Sequence, residues 1–316
     1  MAAPVLLTID TELTWGHFAR GASWQQNLAL SYDPAGVGVP WQLRMLAAHG
    51  LKACFFVDPM PALAYGLEPV KRMVGPILDA GQEIQLHLHS FWVSIAEGDS
   101  GGADFELTCF PAERQRELVR IARDLLILAG APPPVAFRAG SFAANEATLD
   151  AVAETGMRYD SSHNGSLNPW PSALALDSRT IAPVAHRGVV EVPVGLLEQV
   201  RGSLRHLQIC AVSSQEMEAA LRHAADNEHP LTTIVSHSFE LATRDGLRRN
   251  GAVCARFERL CRFLAEHRDL LPTVDFDELA HVPLGVAAEP LPPRPLRTAG
   301  RIAEQLWANS VYERAL

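Results

Sequence analysis

Two histidines one residue apart, His87 and His89, close the apolar stretch Glu83-Ile84-Gln85-Leu86. In extended chain, residues i and i+2 face the same way, so both imidazoles would reach toward one point. Far upstream, Asp10 and Glu12 follow another apolar run, residues 5–9. Two carboxylates at one strand end and two imidazoles at another are the parts of a metal-activated water. Carboxylate and imidazole hold a divalent ion with one position open, and a second carboxylate takes a proton. If the two ends meet in space, the expected chemistry is hydrolysis.

Three more polar residues fall at the ends of apolar runs. Arg138 follows residues 135–137, Asp160 follows Met157-Arg158-Tyr159, and His237 follows residues 231–235. Each has an ordinary alternative when taken singly. Asp10 could be a turn former, Arg138 could pair with a surface carboxylate, and His237 could be a buried histidine satisfied by Ser236 and Ser238. Five strand ends bearing such groups together argue for a site. In barrels of parallel strands and helices, side chains at the C-terminal strand ends converge on one open face.

The elements that would position them alternate along the chain. Strand candidates are residues 5–9, 53–57, 84–88, 135–137, 189–194, 231–235 and 271–274. Helix candidates are residues 40–49, 69–80, 112–129, 146–155, 214–227 and 252–267. Near-continuous apolar strands joined by helices predict parallel strands buried on both faces. The fold class is therefore α/β, either a barrel or a doubly wound sheet. Gly50 and Gly81 stand just past helical stretches, and Ser214 is placed to cap the helix that follows it. Residues 1–285 read as one catalytic domain. Residues 286–316 read as a Pro-rich linker, Glu289-Pro290-Leu291-Pro292-Pro293-Arg294-Pro295, and a terminal helix with Ile302, Leu306 and Trp307 along one side, expected to pack on the core, the alternative being an arm that docks a partner.

Composition narrows the function classes. The chain has 316 residues, 27 basic against 36 acidic, for a net charge of -9, which disfavours nucleic acid and anionic membranes as partners. Five cysteines without a CxxC pair read as reduced thiols. With no evident signal peptide and no apolar run long enough to span a bilayer, the expected compartment is the cytoplasm.

The order of motifs resembles the polysaccharide deacetylases that share the NodB homology domain, carbohydrate esterase family 4. Thr8-Ile9-Asp10-Thr11-Glu12 resembles the first motif, and Gly81-Gln82-Glu83-Ile84-Gln85-Leu86-His87 the approach to the histidine motif. Phe137-Arg138-Ala139-Gly140-Ser141-Phe142 resembles the arginine motif, Tyr159-Asp160-Ser161-Ser162 the fourth, and Ile234-Val235-Ser236-His237-Ser238-Phe239-Glu240-Leu241 the last. Gln85-Leu86-His87-Leu88-His89 and His237-Ser238-Phe239-Glu240 look closest to the WalW-like branch, associated with lipopolysaccharide biosynthesis.

The resemblance implies a distorted (β/α) barrel of about seven parallel strands and one divalent ion, zinc first, with iron, cobalt and nickel also suited to the donors. It implies removal of the acetyl group from an N-acetylated sugar or polysaccharide precursor. Asp10 would be the general base, Glu12 and His87 metal ligands, and His237 the general acid. Arg138 would hold Asp10, and Asp160 would be the acceptor behind His237. A backbone N–H after Phe142 would meet the oxyanion. The family's second histidine would fall at Phe91, so His89 must serve instead, and Arg-Ala-Gly-Ser-Phe stands where Arg-Pro-Pro-Tyr is commoner. Two other readings remain at this point: hydrolysis of another non-peptide C–N bond in a small amide, and a catalytically silent domain that binds a saccharide or a partner.

Overall fold

The computed structural model describes residues 2–97 and 105–312. Ten strands are present among them: β1 (Val5–Thr11), β2 (Cys54–Val57), β3 (Glu83–Leu88), β4 (Ala136–Ala139), β5 (Tyr159–Asp160), β6 (Val184–His186), β7 (Val189–Glu191), β8 (Leu196–Val200), β9 (Ser203–His206) and β10 (Thr232–His237). Eight form one curled sheet in the order β10-β1-β2-β3-β4-β5-β7-β6, and β8 and β9 form a separate hairpin. The run from β10 to β7 is parallel, and only β6 is antiparallel. Seven parallel strands in a curled, incompletely closed sheet make the distorted barrel expected from the sequence.

Every residue of β1 is buried, as is every residue of β2 and β4. That is the signature of strands covered on both faces, and it explains why these runs are apolar without alternation. Helices of nine residues or more are α1 (Val39–His49), α2 (Glu68–Asp79), α3 (Ala112–Leu128), α4 (Glu146–Glu154), α5 (Ser214–Asp226), α6 (Gly251–Glu266) and α7 (Pro295–Tyr312). Helix α2 buries Pro69, Val70, Met73, Val74 and Ile77, one stripe at helical spacing. Helix α1 stops at Gly50, whose φ of 62° lets its N–H turn back to the carbonyls of Leu46 and Ala47.

Three expectations need correction. Residues 271–274 add one bridge, Thr273 to Val5, beside the start of β1 where β2 has not yet begun pairing. The cap of α5 is Ser213, not Ser214; its hydroxyl accepts from Glu216 N, and Glu216 returns a bond to Ser213 N. The terminal helix α7 packs through the opposite side from the one expected. Arg297, Arg301 and Ala308 are buried, while Ile302, Leu306 and Trp307 are exposed. The cause is Glu216, a buried carboxylate on α5 that is satisfied by Arg301 at 3.2 Å. An uncompensated carboxylate there would cost more than leaving a few apolar side chains in water does.

Candidate active site

Register brings the chemical residues together. Asp10 on β1 is the direct partner of His237 on β10, and His87 on β3 is the partner of Arg138 on β4. Because β10, β1, β2, β3 and β4 are consecutive in the sheet, their C-terminal ends form one rim. Glu12 and His89 stand just past the ends of β1 and β3 and lean over that rim.

One half of the site is a donor set. Glu12, His87 and His89 each offer an atom, and all three atoms lie within 4.8 Å of one another. His87 Nδ1 donates to the Arg138 carbonyl at 2.8 Å. Its Nε2 is therefore the lone-pair nitrogen, and it lies 3.4 Å from Glu12 Oε2. His89 Nε2 contacts the same oxygen. Two imidazole nitrogens and one buried carboxylate oxygen aimed at a common point fit a divalent cation. In the metal-free protein, burial pushes the Glu12 carboxyl up, but His89 and His87 outweigh it and leave it well below the usual carboxylate range. Burial lowers His89, yet the Glu12 charge carries it to about 9. Phe91, where a second histidine would otherwise fall, packs its ring against the His89 ring in a tilted contact, with centroids 4.9 Å apart.

The other half is an acid–base set. Arg138 Nη1 donates to Asp10 Oδ1 at 2.6 Å and to Thr8 Oγ1 at 2.8 Å, and both members of the ion pair are buried. Arg138 Nε and Nη2 donate to the carbonyl and hydroxyl of Ser161, and the guanidinium lies 4.2 Å above the Phe56 ring. The other Asp10 oxygen, Oδ2, lies 3.8 Å from His237 Nε2. Behind His237, Glu240 Oε2 stands 3.5 Å from Nδ1 and accepts from Gln208 Nε2 at 2.9 Å. Glu240 Oε1 accepts from Ser236. Burial lowers His237, but the hydrogen bond to Glu240 and the charge of Asp10 raise it to about 9.

Asp160 does not take the role expected of it. It is buried away from His237, with its oxygens accepting from Ser162 N and Ser162 Oγ, both at 2.9 Å. Ser162 Oγ in turn receives the N–H of Ala139, and Ser161 holds Arg138. Asp160 thus shapes the turn that carries the arginine, and the carboxylate behind His237 is Glu240. The backbone after Phe142 is also spoken for, since Ala143 N and Ala144 N donate to Gly140 and Phe142 carbonyls.

Besides Glu240, sequence reasoning missed two members. Asp58 follows β2 directly, so the same strand-end rule would have found it. It is fully buried, Oδ1 accepts from Met60 N, and Oδ2 has no hydrogen-bond partner. Burial raises it to about 6, against the pull of His89 and His87. Gln208 gave no signal, because its segment reaches His237 only by running beside β10, with Val235 bonded to Leu207 and Ile209.

The rim opens into a cavity of about 840 Å³. Glu12 and His89 stand at its floor, Trp15, Phe91 and Phe105 form an aromatic wall, and Gln305 and Asn309 of α7 contribute to another side. No helix among the described residues is long and apolar enough to cross a membrane.

No family model matches the sequence, and no curated protein matches it. Solved structures do. A candidate polysaccharide deacetylase from Mycobacterium smegmatis superposes with a TM-score of 0.56 at 19% identity, over 92% of this chain and 96% of that one. The fold is that of the polysaccharide deacetylases. A family 4 carbohydrate esterase from Streptomyces lividans, solved with acetate, aligns at a TM-score of 0.44 and 14% identity, over 91% of this chain and 98% of that one. A 4-alpha-glucanotransferase from Thermococcus litoralis aligns at 0.50 and 10%, over 87% of this chain and 38% of that one. A deacetylase-type barrel shared with a glucanotransferase does not choose a reaction, so function has to be argued from the site.

Proposed function

We propose that the protein is a metal-dependent deacetylase, a hydrolase of non-peptide C–N bonds, acting on the N-acetyl amide of a sugar or cell-surface polysaccharide precursor. One observation carries this reading: a Glu12–His87–His89 donor set and an Asp10–His237 pair share one rim of strand ends, and Glu12 and His89 line the cavity beside it. The five cysteines, all outside disulfides, agree with a reducing, cytoplasmic setting, and so with a precursor as substrate. The link to lipopolysaccharide rests on the likeness of the motifs around His87 and His237.

Glu12, His87 and His89 would hold the divalent ion, zinc by the donor chemistry. When bound, such an ion supplies an acidified water and polarises the amide carbonyl. Asp10 takes the proton of the attacking water on Oδ2, because Oδ1 is fixed by Arg138. His237 gives a proton to the departing amine, and Glu240 keeps the ring oriented and charged. Arg138 holds the Asp10 rotamer and balances its charge in a buried site. Asp160 sets the turn through which Ser161 grips that arginine.

The test is hydrolysis of N-acetylglucosamine oligomers and nucleotide-linked N-acetyl sugars, followed as acetate release. Turnover is expected, abolished by chelation and restored by zinc. Absence of acetate release across the panel from protein with one equivalent of bound metal overturns the reading. His87→Ala should lower bound metal well below one equivalent, and full occupancy in that variant would remove His87 from the ligand set.

A pH profile checks the acid. His237 is protonated below about pH 9, so the rate should fall as pH rises through that value. Glu240→Gln removes the largest contribution raising the ring. The alkaline limb of kcat/KM should then move down toward the ordinary imidazole value of about 6.5. A limb unmoved in Glu240→Gln would show that another group donates the proton.

A further inference from the structure

His89 does its work in a space that exists only because residue 140 has no side chain. Strands β3 and β4 pair Leu88 with Ala139, so His89 and Gly140 are the next facing positions as both strands end. A Cβ built on Gly140 would stand 2.4 Å from His89 Nδ1, 2.6 Å from Cε1 and 2.7 Å from Cγ. Those distances are deep inside van der Waals contact, and they fall on the face of the ring rather than on a flexible tip. The ring cannot slide away. Phe91 packs on it at 4.9 Å, the His87 ring meets it edge-on at 4.9 Å, and Nε2 is engaged with Glu12.

Backbone conformation does not account for this glycine. Gly140 is not left-handed, whereas the two residues after it are: Ser141 has φ of 54° and Phe142 of 59°. Left-handed positions are where glycine is ordinarily favoured, and here they carry side chains. The turn therefore places its glycine where the backbone does not ask for one and where an imidazole does.

We infer that Gly140 is a positioning residue for His89, and that the metal-binding geometry of His89 depends on the missing side chain at 140. The inference rests on the proposed metal site for its consequence, but the contact itself is a property of the metal-free protein. Two measurements separate them. The first is the thermal midpoint of four metal-free proteins: wild type, Gly140→Ala, His89→Ala and the double variant. Gly140→Ala should lower the midpoint in the wild-type background and leave it unchanged in the His89→Ala background, where the vacated ring space accepts the methyl. If Gly140→Ala does not fold at all, the double variant should still fold with the midpoint of His89→Ala. The second is titration of zinc alone into wild type and Gly140→Ala, where affinity should drop about 10–100-fold, as for loss of a group that orients a ligand.

Equal destabilisation in both backgrounds, or a double variant that does not fold, would assign the glycine to the backbone and overturn the inference. A Gly140→Ala protein with wild-type midpoint and zinc affinity would overturn it as well. Wild-type protein that takes up no zinc would count against the metal site, while the thermal cycle would still decide the contact.

Discussion

Asp10→Asn should lower kcat by about 10²–10⁴-fold, the usual worth of a general base, while leaving bound metal at its wild-type level. The substitution is nearly isosteric and keeps an oxygen for Arg138 Nη1, 2.6 Å away in the native pair. It removes the proton acceptor that Oδ2 provides 3.8 Å from His237. Because the donor set is Glu12, His87 and His89, the ion should be unaffected, and the split between lost turnover and retained metal is the diagnostic result. Steady-state kinetics alongside metal analysis of the same preparation checks it. Wild-type turnover would remove Asp10 from the base role, and loss of the ion would make it a ligand.

Arg138→Met should destabilise the fold by about 3–5 kcal/mol, a large fraction of the 5–15 kcal/mol by which most domains are stable. Removing the guanidinium strands the Asp10 carboxylate in a buried site, Thr8 loses one donor, and Ser161 loses two. Methionine keeps much of the volume, so the effect reads the charge rather than a cavity. Urea unfolding should show a lower midpoint with unchanged slope. Arg187→Ala is the contrasting control. Its partner Asp150 is also a carboxylate, but this pair stands in solvent, where water screens it, so the urea midpoint should barely move. A similar loss in the two variants would mean that Arg138 is not held as a buried pair.

The fold and most of the site were legible because both depend on patterns of short range. Apolar runs named the parallel strands, and the polar residue at each run's end named Asp10, His87, Arg138 and His237. Where prediction failed, side-chain partners rather than strand ends decided. Glu240 lies only three residues past His237 and turns its carboxylate back to Nδ1, while Asp160 bonds to Ser162 instead. Helix α7 looked amphipathic in the ordinary sense, but the buried Glu216 lies on another helix and turned its arginine side inward. Two oddities that seemed separate, a histidine pair with one intervening residue and a glycine in the arginine motif, prove to touch. Nothing in a linear pattern announces that contact.

Strand β1 pairs on one side with β10, so Thr8 bonds to Ile234 across 226 residues of chain. Closing a loop of that length costs about 5 kcal/mol in chain entropy before any contact repays it, and such topologies fold slowly. The parts of the site do not share this delay equally. Glu12, His87 and His89 come from β1 and β3, with the Arg138 carbonyl from β4, all within the first half of the chain. His237 and Glu240 arrive only with β10. On a ribosome, an emerging chain would therefore bring Glu12, His87 and His89 out well before the residues of the acid–base pair are complete.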